Sequence, residues 1–349
     1  MNISNLERVF FAIILILCIL NQSCQTGLKE INITTLTPEK TIESWGDSIY
    51  LRRTHSLHSD NSGLIIVDYS GHRLLKLNRE FELEKIIGKN GKGPGEMINP
   101  AFLVFQSSKY YVLDRGNKRV NIYRPDGSYE KMVRLMGEVN VLGKFSVDQD
   151  ENIYISSNTE DYLFSKFNSL GERILTFGRP DPQTPSYLPK YTNISHLLYD
   201  DTEKVIAIKI SEPAIEVYSI NGQLLDRYDL SNSLVFQAVQ AHLKSAYQSH
   251  PGPGLMYIPI FRDALLHNGK LFLLYNDMGE FKGESQIHSN KILILDIDNG
   301  MKESAIINLK IEGDEEEATY FTAFCIQEVP QKSLIAFEQV SGKLYCFPY

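Results

Sequence analysis

Short apolar runs separated by glycine-bearing turns recur along the chain, and they recur as a unit. Gly63-Leu-Ile-Ile-Val-Asp68 passes through a turn into Arg73-Leu-Leu-Lys-Leu77, and Tyr110-Tyr-Val-Leu-Asp114 passes through another into Arg119-Val-Asn-Ile-Tyr123. Asp68 and Asp114 occupy the same place in the two copies. Further copies pair Asn152–Ser156 with Phe164–Gly171, Val205–Ile208 with Ile215–Gly222, Lys270–Tyr275 with Lys291–Gly300, and Ser333–Phe337 with Gly342–Phe347. Runs of this length, rich in Val, Ile, Leu, Tyr and Phe and joined by Asp-Gly, Asn-Gly, Leu-Gly or Ser-Gly, predict strands in tight hairpins. A single small meander cannot bury both faces of its sheet, so the units must stack, and radial closure removes the open edges of the set. Six units of about 54 residues lie near the top of the usual repeat length of roughly 20–50. The pattern predicts an all-β fold over 31–349, a six-bladed β-propeller with four-stranded antiparallel blades.

The last unit ends at Tyr349 with three strands, so its fourth must come from elsewhere. Ile31–Leu36 is the expected closing strand, with Ser48–Arg53 opening the first blade. One segment departs from the strand pattern. Behind the capping residues Ser231-Asn-Ser233, the positions Leu234, Val235, Ala238, Val239, Leu243 and Ala246 fall at helical spacing and predict a helical insertion at about 232–249. His250-Pro-Gly-Pro-Gly254 should stop it. Packing between the fourth and fifth blades is the expected role, and a lid over the central cavity is the alternative.

Ahead of the repeats, Val9–Leu20 is an unbroken apolar stretch. About a dozen residues suit the core of a secretory signal and fall short of the roughly 20 that cross a bilayer. The leader has little charge, Arg8 being balanced by Glu7. Asn21-Gln22-Ser23-Cys24 follows and resembles the looser lipobox of Bacteroidetes lipoproteins, which implies removal of 1–23, lipidation of Cys24 and a linker at 24–30. The expected address is therefore the cell envelope, with the membrane touched only through the lipid. Of the four cysteines, Cys325 and Cys346 alone remain for the folded part. On the first and third strands of one blade they stand too far apart for a disulfide, which predicts buried free thiols.

With 43% hydrophobic and 22% charged residues the chain has material for a core, and a net charge of −8 argues against a nucleic-acid surface. The eight histidines, His55, His58, His72, His196, His242, His250, His267 and His288, form no metal-binding spacing. Asp200-Asp201 and Asp314-Glu315-Glu316-Glu317 read as solvated turns. No Gly-x-Ser-x-Gly elbow is present. No cofactor is expected.

The most specific stretch is Ile87-Gly-Lys-Asn-Gly-Lys-Gly-Pro-Gly-Glu-Met97, followed by Asp114, Asn117, Arg119, Val120 and Asp126-Gly127. It resembles an NHL repeat, in which a G-x-x-G-x-G-P-G-E/Q-F loop leads into a blade and an Asp-x-x-Asn-x-Arg-Val hairpin follows. Gly88, Gly91, Gly93, Pro94, Gly95 and Glu96 fit the loop, while Met97 stands where an aromatic residue is commoner. The whole mature chain is similar to the NHL-like six-bladed propeller lipoproteins of Bacteroidetes. As a phosphate loop the stretch lacks the helix that should follow, because Pro94 and Pro100 lead into another strand. Asp114 and Arg119 are expected to satisfy each other and the hairpin rather than to act as a catalytic pair.

Propellers bind ligands at the mouth of the central channel, in the loops that enter each innermost strand. Those loops should bring Arg52, Asn99, Lys144, His196, Arg262 and Tyr320 towards one axis, a polar and cationic set suited to an anionic or hydroxyl-rich ligand. The expected function is a monomeric binding or interaction module at the envelope, with an envelope protein, glycan or peptide as partner. The alternative, implied by the kinship of NHL-like propellers with lyases and lactonases, is a metal-assisted lyase or hydrolase at the same mouth.

Overall fold

The structure, a computed structural model, describes residues 31–46, 48–157, 159, 161–180, 194–249, 259–281, 284–312 and 319–349. The expected signal segment 1–23, Cys24 and the expected linker 24–30 lie outside the described residues, as do His250–Gly254.

Alternating strands and tight turns fold into six antiparallel sheets, each beginning at its inner strand. Blade one runs Thr54–Asp60, Gly63–Asp68, Arg73–Leu77 and Leu83–Ile87; blade two runs Pro100–Gln106, Lys109–Asp114, Arg119–Tyr123 and Tyr129–Arg134. Blades three and four open with Ser146–Val147 and Ser195–Asp200, and blades five and six with Phe261–His267 and Phe321–Gln327. Because both faces of every middle strand meet a neighbouring blade, these strands are largely apolar and buried; Gly63–Asp68 is buried at all its positions. The core is accordingly a series of layers between blades. Ile65, Val67, Tyr110 and Val112 fill one layer, and Ile66, Leu75, Ile335 and Phe337 fill another. Each such side chain contributes about 1.5–3 kcal/mol on leaving water. Residues 33–349 form one compact unit.

Ring closure differs from the expectation. Lys40–Ile42, not Ile31–Leu36, supplies the fourth strand of blade six, pairing with Leu344–Cys346. Asn32–Leu36 instead lies on blade five as an additional, fifth strand beside Lys302–Leu309, where Lys310 N–H donates to the Leu36 carbonyl at 2.9 Å. Ser48–Arg53 is not a strand either: Ile49 makes a single bridge to Trp45, and the first blade opens at Thr54. Both leading strands are short and their side chains largely exposed, so no burial pattern marks one of them as the closing strand.

The helix, here α1, spans Leu234–Ser249, with Ser233 Oγ accepting from Val235 N–H at 3.3 Å. Its buried face is Phe236, Val239 and Leu243, whereas Leu234 is 65% exposed. Phe236 decides this orientation by wedging edge-on between Phe261 and Tyr275, with ring centroids 5.3 and 5.4 Å away. α1 thus packs on the fifth blade. Blade five also carries a long hairpin, Lys270–Phe281 with Glu284–Asp296, which continues past the end of its inner strand.

The glycine loop is a structural clasp. Glu96 Oε2 accepts from Gly93 N–H at 2.8 Å, and a Cβ on Gly91, at φ +155°, would stand 2.0 Å from that carboxylate. Arg119 reaches over the loop, donating to the carbonyls of Lys92, Gly93 and Glu96 at 2.9, 2.9 and 2.7 Å, while its Nε binds Asp114 at 2.9 Å. Asp114 also receives Asn117 and the Ile98 N–H. The loop and the hairpin of the motif therefore belong together because one guanidinium holds both. Pro94 is exposed at the tip, the Gly95 carbonyl accepts from Tyr123 at 3.1 Å, and buried Met97 fills the aromatic position against Gly88. In blade six the aspartate position is taken by Glu338, which caps Tyr320, Val340 and Ser341 N–H groups. Cys325 and Cys346 are buried free thiols on either side of Ile335.

Candidate functional site

A cavity of about 430 Å³ opens where the inner strands begin. Four of those strands start with a β-bulge: the register shifts between Thr54 and Leu57, Pro100 and Leu103, Phe261 and Asp263, and Phe321 and Ala323. An extra residue in a strand re-aims its side chain out of the alternating pattern. Each bulge delivers one residue to the cavity: His55, Phe102, Arg262 and Thr322.

Cations and apolar groups divide the lining. Arg52, Arg53 and Arg262 supply charge; Phe102, Leu142, Ile194, Ile210, Pro259 and Phe261 supply apolar wall; Ser70, Thr322 and Gln339 complete the rim with the two histidines. No Asp or Glu lines the cavity among the described residues. Arg262 is oriented by Asn276, whose Oδ1 accepts its Nε–H at 3.0 Å. Arg53 lies over the Tyr69 ring at 5.2 Å. Phe102 stands between the histidines, its centroid 6.1 Å from His55 and 6.2 Å from His196.

Burial lowers the pKa of His196 to about 3, with the Lys144 ammonium adding to the effect and the backbone of Phe261 and Arg262 opposing it. His55 falls to about 4, again through burial first and then through Arg53, Arg115 and Arg262. Both rings are neutral at physiological pH. His196 Nδ1 accepts the Lys144 N–H at 3.2 Å, and its Nε2 is buried on the side of the Phe261 and Arg262 backbone.

Of the six residues expected at the mouth, Arg52, His196 and Arg262 line the cavity and Asn99, Lys144 and Tyr320 do not. Asn99 adopts φ +50° and gives its N–H to His72 Nδ1 at 2.9 Å. Tyr320 is pinned by Glu338, and Thr322, two residues on, takes the place expected of it. Lys144 lies deeper, where its ammonium pairs with the buried carboxylate of Asp263 and donates to the Ala264 carbonyl at 2.8 Å. Asp263 also accepts from Phe324 N–H at 2.9 Å, so blades three, five and six are joined through this carboxylate. Burial pushes the Asp263 carboxyl up, against the pull of Lys144. His55, Phe102 and Thr322 were not legible at the mouth, because a bulge leaves no mark in the sequence of its strand, and Arg53, just ahead of the first bulge, was missed beside Arg52.

No family model matches the chain. Human NHL repeat-containing protein 3 is 35% identical over 71 residues and its mouse counterpart 35% over 75, so the chain spans about a fifth of the length of the curated relatives it matches. NHL repeat homology is present, and it is partial. Among solved structures, a protein of Bacteroides fragilis described as exported has a TM-score of 0.55 at 17% identity, covering 87% of this chain and 88% of that one. A DUF4221 family member from Bacteroides vulgatus follows at 0.54 and 10%, covering 89% and 97%. A streptogramin B lyase gives 0.51 and 11%, covering 88% and 97%. At these identities the likeness is one of fold, and the fold is a six-bladed propeller.

Proposed function

We propose that this protein is an exported, lipid-anchored propeller that binds an acidic ligand at its channel mouth. The observation that carries the reading is the cavity itself: three guanidiniums and two neutral imidazoles over an apolar wall, with no carboxylate in its described lining. Guanidinium groups pair with planar oxyanions through parallel hydrogen bonds, and low solvent content strengthens each of them. The apolar run Val9–Leu20 with Ser23-Cys24 supports export and anchoring, and the Bacteroides fragilis protein of the same fold, described as exported, supports export alone. Metal-assisted lyase chemistry ranks second, on the fold likeness to streptogramin B lyase. Among the described residues no three His, Cys, Asp or Glu side chains gather as such a site requires.

The test is thermal-shift and calorimetric titration of the full chain against acidic and neutral members of one ligand panel. Acidic members should bind, and Arg262→Ala should weaken them at least tenfold. Equal binding of the neutral members, or indifference to Arg262, would reject the reading. Radiolabelled palmitate incorporation that vanishes in Cys24→Ser checks the anchor.

A further inference from the structure

The positive charge at the mouth exceeds what one acid group can answer. Arg52, Arg53 and Arg262 line the cavity with no carboxylate in its described lining. A fourth guanidinium belongs to its edge. Arg115 opens the short 3₁₀ turn Arg115–Asn117 of blade two, directly after Asp114, whose partner across the sheet is Pro100 at the start of the inner strand. Gly116 N–H fixes that turn by donating to the Ile98 carbonyl at 2.8 Å. Phe102, two residues past Pro100, is cavity wall, and the corresponding turn of blade one, after Asp68, puts Ser70 in the lining. Asp114 is spent on Arg119 Nε at 2.9 Å and on Asn117 at 2.7 Å. Arg115 is half-buried, and among the described residues no carboxylate pairs with it.

His55 shows where these charges converge. After burial, the groups that hold its ring below the usual histidine range are Arg53, Arg115 and Arg262, which come from the approach to blade one, from blade two and from blade five. Cations that act on one buried ring also repel one another, because little water screens them there. A guest with a single negative charge leaves much of that repulsion in place. A second anionic group relieves it again and adds a charge-assisted hydrogen bond of its own. Phe102, Phe261, Ile194 and Ile210 remain as an apolar seat for the frame that joins the two groups.

We propose, resting on the acidic-ligand reading above, that the guest carries at least two separated anionic groups on an apolar frame, one held in the cavity by Arg52, Arg53 and Arg262 and the other by Arg115 at its edge.

Calorimetric titration of the detergent-solubilised full chain with a charge series tests this. Isophthalate, terephthalate and 1,4-phenylenediacetate set two carboxylates progressively further apart, and each has a monoamide and a diamide of nearly the same shape. The best dianion should bind at least tenfold more tightly than its monoamide, and the monoamide more tightly than the diamide. Arg115→Ala should cut the dianion's advantage to about twofold while leaving the monoamide's affinity as it was, and Arg115→Lys, which keeps the charge, should retain part of that advantage. The melting midpoint without ligand should not fall in Arg115→Ala; a clear fall would make the role of Arg115 structural and overturn its assignment. Equal binding of dianion and monoamide, with the diamide weaker, overturns the proposal and leaves the acidic-ligand reading standing. So does an Arg115→Ala variant that weakens dianion and monoamide alike. If the diamides bind as well as the dianions, or nothing binds, both readings fall.

Discussion

At the scale of single residues, three buried histidines of the inner strands are kept in their uncharged form. Burial lowers His55 and His58 to about 4 and His196 to about 3, against about 6.5 in an unfolded chain. On acidification the unfolded chain therefore takes up protons that the native ring refuses, and the native state loses ground. The sign gives stability that is full above about pH 6.5 and declines as pH falls towards 4, by up to about 1.4 kcal/mol per pH unit for each histidine. Urea midpoints measured from pH 8 to 4 should be set by other groups above 6.5 and should drop below it. His58 stacks on Phe105 at 5.2 Å, and His58→Phe should reduce the slope by about a third. The thiols are similarly shielded, with burial pushing Cys346 up to about 12.

At the scale of elements, two short strands share the work that one was expected to do. Lys40–Ile42 closes blade six, and Asn32–Leu36 widens blade five. Replacing 32–36 by Gly and Ser should cost about 1 kcal/mol, because that strand only extends a finished blade. The same replacement of 40–42 leaves Lys343–Pro348 as an open edge and should cost about 3 kcal/mol or more. Comparing the melting midpoints of the two variants checks the assignment. The repeats were legible because each middle strand is rich in apolar residues and the turns between them carry glycine. The closing strand was not, since its exposed Lys40 and Thr41 carry no pattern. Bulges explain the partial reading of the mouth: a shift of one residue moves a side chain to the other face. Arg262 sits on such a bulge and was found by its loop, while Phe102 on the equivalent bulge displaced the expected Asn99.

At the scale of the whole molecule, the contacts that matter most join residues far apart in sequence. Lys144 and Asp263 come from blades three and five, and nothing in either neighbourhood marks them as partners. Removing one member of a buried pair strands the other charge, so Lys144→Met should cost about 3–5 kcal/mol in urea unfolding. Lys144→Met with Asp263→Leu should recover much of that loss, since an apolar pair of similar volume replaces both charges. A double variant no better than the single would show that the carboxylate matters through Phe324 N–H alone.

The fifth strand on blade five also has a mechanical meaning. A pull on the beginning of the chain reaches Asn32–Leu36 before it reaches Lys40–Ile42, and the two lie on different blades. Tension is taken up in the ladder of an already complete sheet, and the seam that keeps the ring shut stays slack. A propeller tethered from this end can be tugged without being opened.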